Sequence, residues 1–399
     1  MESAGIKSNK TRSVYCSILV LSMLLMLTVP ASTYAQDDNA VTILRQIGKK
    51  FAEISEEASP SVVVLKVERP ALSGQPGADE SLKANPGGGP PVGSQPFRPE
   101  SRGTRPRSPR ILPYAQMSMG LGLIVSNDGY ILTCNYVVHG VRKVKAELAD
   151  GREFEAKVVG TDPDTDLAVV RIDANDLPVL KLGNSDALSL GDWVVGISNA
   201  RGLGRTFTVG LVTGKGRSGL GMVPLEDFIQ TSINLRVGDG GGPLLDLDGK
   251  VVGINFATFD SEHGGGVSFA IPINMAREIY EQLIKTGTVE RGFLGVYMQN
   301  LNPKLAKALG IETTEGVLIS NVLKDSAAEK AGIKNYDVLV EFNSKPVKSA
   351  SQLTIDVASL KPGTQVEVVV LRDGQRRNLT VTLGKRPQEP RPDDVPNVP

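Results

Sequence analysis

Between residues 119 and 273 the chain is a succession of short apolar runs, each closed by a turn signal before it reaches the length of an ordinary helix. Alternation of apolar and polar residues is the mark of a strand with one buried face. Asn127-Asp128-Gly129 and Ala149-Asp150-Gly151 punctuate the first half of this stretch, and the second triplet is a hairpin signal. The same texture resumes at Asp192 and lasts to Ile273. Composition agrees: aromatic residues make up 5% of the chain, while glycine reaches 43 residues and proline 25, which suits many short strands joined by tight turns. A chain of this kind is expected to be mainly β, with two six-stranded-type antiparallel β-barrels packed together.

The turns themselves carry more specific information. The stretch Val237-Gly238-Asp239-Gly240-Gly241-Gly242-Pro243-Leu244 is nearly all backbone, and taken alone it reads as a tight turn. Upstream lie Gly120-Leu121-Gly122-Leu123-Ile124-Val125, Thr133-Cys134-Asn135-Tyr136-Val137-Val138 and Asp164-Thr165-Asp166-Leu167-Ala168-Val169. Leu190-Gly191-Asp192-Trp193-Val194-Val195, Phe228-Ile229-Gln230-Thr231 and Phe269-Ala270-Ile271-Pro272 complete the series. In order and spacing the series resembles the HtrA/Deg family (DegP-like), trypsin-like serine proteases followed by PDZ modules. The resemblance runs from about Val41 to Lys385.

That resemblance implies where a catalytic triad would stand. Acyl transfer by serine needs a hydroxyl, an imidazole to take its proton and a carboxylate to orient the imidazole. The family's nucleophile position falls on Gly240, its histidine position on Tyr136 and its carboxylate position on Asp166. Glycine has no side chain with which to attack. A phenol, with a reference pKa near ~10, is the wrong base at neutral pH. Asp166 has no catalytic task without a histidine; it reads either as a remnant that hydrogen-bonds Tyr136 or as a turn residue holding backbone donors. The backbone N–H groups of Gly238, Asp239 and Gly240 would form the oxyanion turn. The chain's two histidines do not replace the base: His139 is expected on the surface after the strand, and His263 in the loop His263-Gly264-Gly265-Gly266. Ser232 stands where the family has an acidic residue and reads as structural. No metal or cofactor is expected. An expectation follows for the dead site itself: the ring of Tyr136 should fill the space left at Gly240, with Asp166 accepting its O–H.

At the amino terminus Lys7, Lys10 and Arg12 precede the apolar run from Ile18 to Val29, then Pro30 and Thr33-Tyr34-Ala35. This is the layout of a secretory signal peptide over residues 1–35, cut after Ala35, with an uncleaved membrane anchor as the alternative. A periplasmic or extracytoplasmic protein is expected. Cys16 lies in that segment, so Cys134 would be alone after cleavage; it reads as a small buried hydrophobe, with a reactive thiol as the alternative. Residues 36–69 hold an amphipathic helix, with Ile43, Leu44, Ile47, Phe51 and Ile54 at helical spacing, and a first strand. Residues 70–113, rich in Pro, Gly and Arg, are expected to be a disordered loop. The 44 basic and 44 acidic residues cancel, so nothing argues for nucleic acid as a partner.

Residues 114–287 are expected to form the trypsin-like double barrel, closed by a helix from Ile273 with Asn274 as its cap. From 288 to 385 the chain looks like one α+β PDZ domain, and 386–399 reads as a disordered tail. Phe293-Leu294-Gly295-Val296 matches the PDZ carboxylate-binding loop and adjoining strand, with a core-only role for Phe293 and Leu294 as the alternative. Tyr336 stands where the family has glycine, which implies a different turn conformation. The functional expectation is a catalytically inactive HtrA homologue that binds peptides, unfolded chains or C-terminal tails. It would serve as a chaperone-like scaffold or as a partner of active relatives, and the family implies a homotrimer. The alternative is an active serine endopeptidase with an unrecognised nucleophile.

Overall fold

The structure is a computed structural model that describes residues 32–69, 119–199, 204–236, 238–259, 266–308, 310–311 and 315–387. The expected signal region before Ser32, the 70–113 loop, His263 and the tail from 388 lie outside the described residues. Two units separate in the chain, 1–53 and 54–399. In the first, helix α1 (Ser32–Ala58, continuing into the second unit) starts ahead of the expected cleavage point and leaves Val41, Ile43, Leu44 and Ile47 exposed.

In the second unit, six strands form a closed barrel in the order β1-β2-β3-β6-β5-β4. They are β1 (Val62–Glu68), β2 (Met119–Ile124), β3 (Tyr130–Cys134), β4 (Lys143–Glu147), β5 (Glu153–Asp162) and β6 (Leu167–Ile172). The Asp150-Gly151 turn joins β4 to β5 as an antiparallel hairpin. β1 pairs with both β2 and β4, so the first strand belongs to this barrel rather than to the amino-terminal segment. A second closed barrel follows, β10-β11-β12-β9-β8-β7. Its strands are β7 (Trp193–Ser198), β8 (Thr206–Arg217), β9 (Phe228–Thr231), β10 (Pro243–Leu245), β11 (Val251–Phe259) and β12 (Val267–Pro272). Closure leaves no unpaired edge to aggregate.

A four-residue helix α2 (Asn135–Val138) interrupts the first barrel directly after β3. Helix α3 (Ile273–Thr286) closes the second, burying Ile273, Ala276, Ile279 and Leu283 along one stripe. Its N-cap is Pro272, with no side-chain cap bond. Asn274 lies within the first turn instead, where its Nδ2 donates to Asn184 Oδ1 at 2.7 Å, so its side chain serves a tertiary contact rather than the expected cap.

The C-terminal domain is built on a sheet ordered β14-β15-β16-β18-β19. These are β14 (Val296–Asn300), β15 (Val317–Val322), β16 (Val338–Phe342), β18 (Gln365–Arg372) and β19 (Gln375–Thr382), with β17 (Lys345–Pro346) paired to β16. β13 (Gly292–Phe293) pairs separately with β20 (Gly384–Lys385). Helices α4 (Pro303–Ala308), α5 (Ala327–Lys330) and α6 (Ala350–Ala358) complete it. Its core joins Leu294, Val317, Leu339, Phe342, Leu353 and Val368. Tyr336 adopts φ +72° with its side chain exposed; it takes the left-handed conformation that suits glycine rather than a different turn.

The root of this domain is pinned to the first barrel. Arg291 Nη1 and Nη2 donate to Asp162 Oδ1 and Oδ2 at 2.8 and 2.6 Å, with both side chains buried. Arg386 adds an ion pair to Asp164 at 3.1 Å, and its N–H donates to Arg291 O. The first residue of the segment expected as tail, Arg386, is thus anchored to the domain.

Candidate functional site

The three residues expected at the triad positions come together where the barrels meet. Tyr136 projects from α2, Asp166 stands at the β5–β6 turn, and Gly240 lies in the loop before β10. A Cβ built on Gly240 would lie 1.6 Å from the Tyr136 hydroxyl oxygen. The phenol therefore occupies the volume in which a serine at 240 would carry its side chain. The Tyr136 ring is partly buried, edge-on to Phe256 with centroids 6.3 Å apart, and Phe256 stacks on Phe228 at 5.1 Å.

The glycine loop is fastened by its backbone. Gly240 O accepts from Leu121 N at 2.9 Å, and Gly241 N donates to Asn255 O at 2.8 Å. Gly241 has φ +88°, and a Cβ there would fall 2.1 Å from Leu121 O, so only glycine fits. Of the three expected oxyanion donors, Asp239 is the exception: its N–H donates to Arg236 O at 3.0 Å. The Asp239 carboxylate is buried and accepts from Asn199 N and Arg236 N at 3.1 and 2.7 Å. Burial pushes its pKa up.

Of the two readings of Asp166, the structure shows the turn residue that holds a backbone donor. Its Oδ1 accepts the backbone N–H of Tyr136 at 3.0 Å and Asn135 Nδ2 at 3.4 Å, not the phenol O–H. The hydroxyl is turned to Gly240 instead, because filling that space demands it. Asp166 has φ +61° and a buried side chain, and burial with no cation against it pushes its pKa up to about 8. Its Oδ2, and Asn135 Oδ1, are buried without a hydrogen-bond partner.

One supporting residue, Arg69, gave no signal in the sequence, and Asn135 of the Thr133-Cys134-Asn135-Tyr136-Val137-Val138 motif has a role that the motif did not reveal. Arg69 donates from Nη1 to His139 O and from Nη2 to Tyr136 O, both at 2.9 Å, and so holds the end of α2. Asn135 faces Asp166. Cys134 is fully buried, with Sγ 3.5 Å from Asn255 O, and burial pushes its thiol well up, which disfavours a thiolate there. His139 is exposed, and Ser232 Oγ accepts Leu211 N at 2.9 Å, a structural bond.

In the C-terminal domain β14 forms the edge of its sheet, with α6 packed beside it. A pocket of about 390 Å³ opens there, lined by Val296 and Met298 on β14, Thr354 and Ile355 on α6, and Pro224 and Leu225 from the second barrel. Of the four expected loop residues, Val296 lines this groove. Leu294 is core, at 4% exposure. Phe293 pairs with Gly384. Gly295 turns the chain at φ +80°, and a Cβ there would be 2.3 Å from Ser326 Cβ.

This architecture defines a trypsin-like peptidase domain followed by a PDZ domain, and family models with those descriptions match residues 120–254 and 292–383. The chain belongs to the HtrA/DegP-like family. It is 39% identical over 364 residues to a probable periplasmic serine endoprotease DegP-like of Chlamydia muridarum, covering 87% of this chain and 70% of that protein. A protein of the same description from Marinomonas is 40% identical over 354 residues, covering 86% and 72%. Among solved structures, the HtrA-type protease AlgW with tripeptide is 34% identical at TM-score 0.68, covering 85% of this chain and 98% of its own. The serine endoprotease from Yersinia pestis is 28% identical at TM-score 0.58, covering 84% and 98%.

Proposed function

We propose that this chain is a catalytically inactive HtrA-family protein of the cell envelope that binds peptides or unfolded chains through its PDZ groove. The observation that carries the reading is the Tyr136 phenol standing where a nucleophile at 240 would be. Triad loss leaves only about 10³–10⁴-fold acceleration over water, which is no useful protease for amide bonds. The barrel is retained as a scaffold, serving alone or with active relatives, and the family's habit of assembly makes a homotrimer the expected state.

Peptide recognition is supported by the open edge of β14 beside α6. An extended peptide adds to such an edge as a further strand, and backbone N–H groups of the preceding loop hold its terminal carboxylate. Solved relatives contain a tripeptide or a decapeptide. Export is supported by the signal-like amino terminus and by relatives named as periplasmic. Calorimetry with free-acid and amidated forms of one peptide tests the recognition mode. Tighter binding of the free acid is expected; equal affinity sinks the carboxylate assignment. Light scattering on the mature chain should give a trimer mass.

A further inference from the structure

The remaining puzzle is a pair of buried acceptors. Asn135 Nδ2 donates to Asp166 Oδ1 at 3.4 Å, which joins the two side chains on one side. The other atom of each group, Asn135 Oδ1 and Asp166 Oδ2, is buried and has no donor. The backbones are locked as well, since Asn135 N donates to Asp166 O at 2.7 Å. Two ionised or neutral acceptors left bare in one dry site are costly, and a carboxylate accepts only, whereas a carboxylic acid also donates.

Among the described residues, none brings a positive charge against the Asp166 carboxyl. From β3 comes the neutral thiol of Cys134, whose pKa the Asp166 charge would raise further. From the end of β5 comes Asp162, which disfavours a second negative charge and already has Arg291 as its own partner. From α2 come the Tyr136 phenol and the Asn135 amide. Across the site β11 supplies the Asn255 carbonyl and the Phe256 ring, both neutral. Arg69, beyond β1, directs its guanidinium to the carbonyls of Tyr136 and His139. Asp239, in the glycine loop, is occupied by backbone amides.

We propose that Asp166 is carried as a neutral carboxylic acid whose Oδ2–H is donated to Asn135 Oδ1, closing a two-bond ring with the amide, and that loss of this proton loosens the turn that holds Tyr136 in place. One proton, taken from solvent, then satisfies both bare acceptors. It does for the carboxyl what a positively charged histidine would do in a working triad. On deprotonation the proton returns to solvent and leaves a buried anion opposite the Asn135 carbonyl oxygen. Asp166 Oδ1 is also the acceptor for Tyr136 N–H, so strain at Asp166 passes directly to the plug. The raised pKa of Asp166, about 8, agrees with this geometry. The inference rests on the reading of Tyr136 as the occupant of the base's position, but its readout is protonation and does not depend on proteolysis, so the two fail separately.

Infrared spectroscopy of the full chain labelled with ¹³C-aspartate, between pH 5 and 10, tests it. A protonated-carboxyl band should be present at pH 6, should vanish with a midpoint near 8, and should be missing from Asp166→Asn. Thermal melting should agree: wild type should lose melting temperature relative to Asp166→Asn as pH rises from 6 to 9. Should the asparagine variant not fold, Asp166→Ala assigns the band, and the wild-type pH titration of the labelled band stands by itself. No protonated aspartate band at pH 6, or loss of it in the ordinary carboxylate range near ~4, overturns the proposal, as does a melting difference that stays constant with pH.

Discussion

The hydroxyl oxygen of Tyr136 and the vacant Cβ position of Gly240 lie 1.6 Å apart, so the two residues share one volume. A side chain at 240 and the present placement of the phenol exclude each other. The residues at the expected histidine and nucleophile positions therefore pack as one unit, a complementary pairing of the kind a packed interior tolerates best.

The coupling is measurable. Gly240→Ser alone should cost roughly 1–3 kcal/mol through overpacking. The same change in a Tyr136→Ala background should cost much less, because the colliding atom is gone. Urea denaturation of the four proteins of this cycle reads the difference; strictly additive costs would show that the two residues do not compete for space.

Tyr136→Ala by itself should destabilise by about 2 kcal/mol, below the range for a fully buried aromatic, because the ring is only partly buried and loses its edge contact with Phe256. An unchanged melting temperature would mean the ring is a surface side chain over an open cleft.

How far the sequence reveals these features depends on their range along the chain. Barrel strands were legible because alternation and Asp-Gly turns are local, and the hairpin at Asp150-Gly151 forms where its residues indicate. The triad positions came from the resemblance, and the three residues it names lie together in the structure. That the ring fills the space at Gly240 was legible from the paired replacements; that Asp166 accepts the backbone N–H of Tyr136 rather than its phenol was not. The pairing of Arg291 with Asp162 spans 129 residues, and neither neighbourhood marks it. Asn274 illustrates the opposite error: a good local cap signal was overridden by the tertiary partner Asn184. For the side chain of Leu294 the alternative reading, a core role, is the one the structure shows.

Arg291→Ala should destabilise by roughly 3–5 kcal/mol, since it leaves Asp162 buried and without its bidentate partner. The loss should be largely shared with Asp162→Asn, so the double variant should be no worse than the poorer single one. Chemical denaturation followed by limited proteolysis around residue 288 checks this. A cost below half a kcal/mol would show the pair to be solvated.

Gly295→Val should abolish peptide binding and lower stability by more than about 1 kcal/mol, because a β-branched residue is strained at φ +80° and its Cβ meets Ser326. Calorimetry and a melting curve on the same preparation separate the two effects. Retained peptide affinity would place recognition away from the β14 groove.

The central claim is that the site has lost its chemistry. The direct measurement is hydrolysis of casein by the purified mature chain, run beside an active HtrA protease and with a fluorophosphonate probe. The account predicts no cleavage above the buffer rate and no covalent labelling. Cleavage that co-purifies with the chain, or labelling by the probe at any residue of the barrel domain, would contradict it.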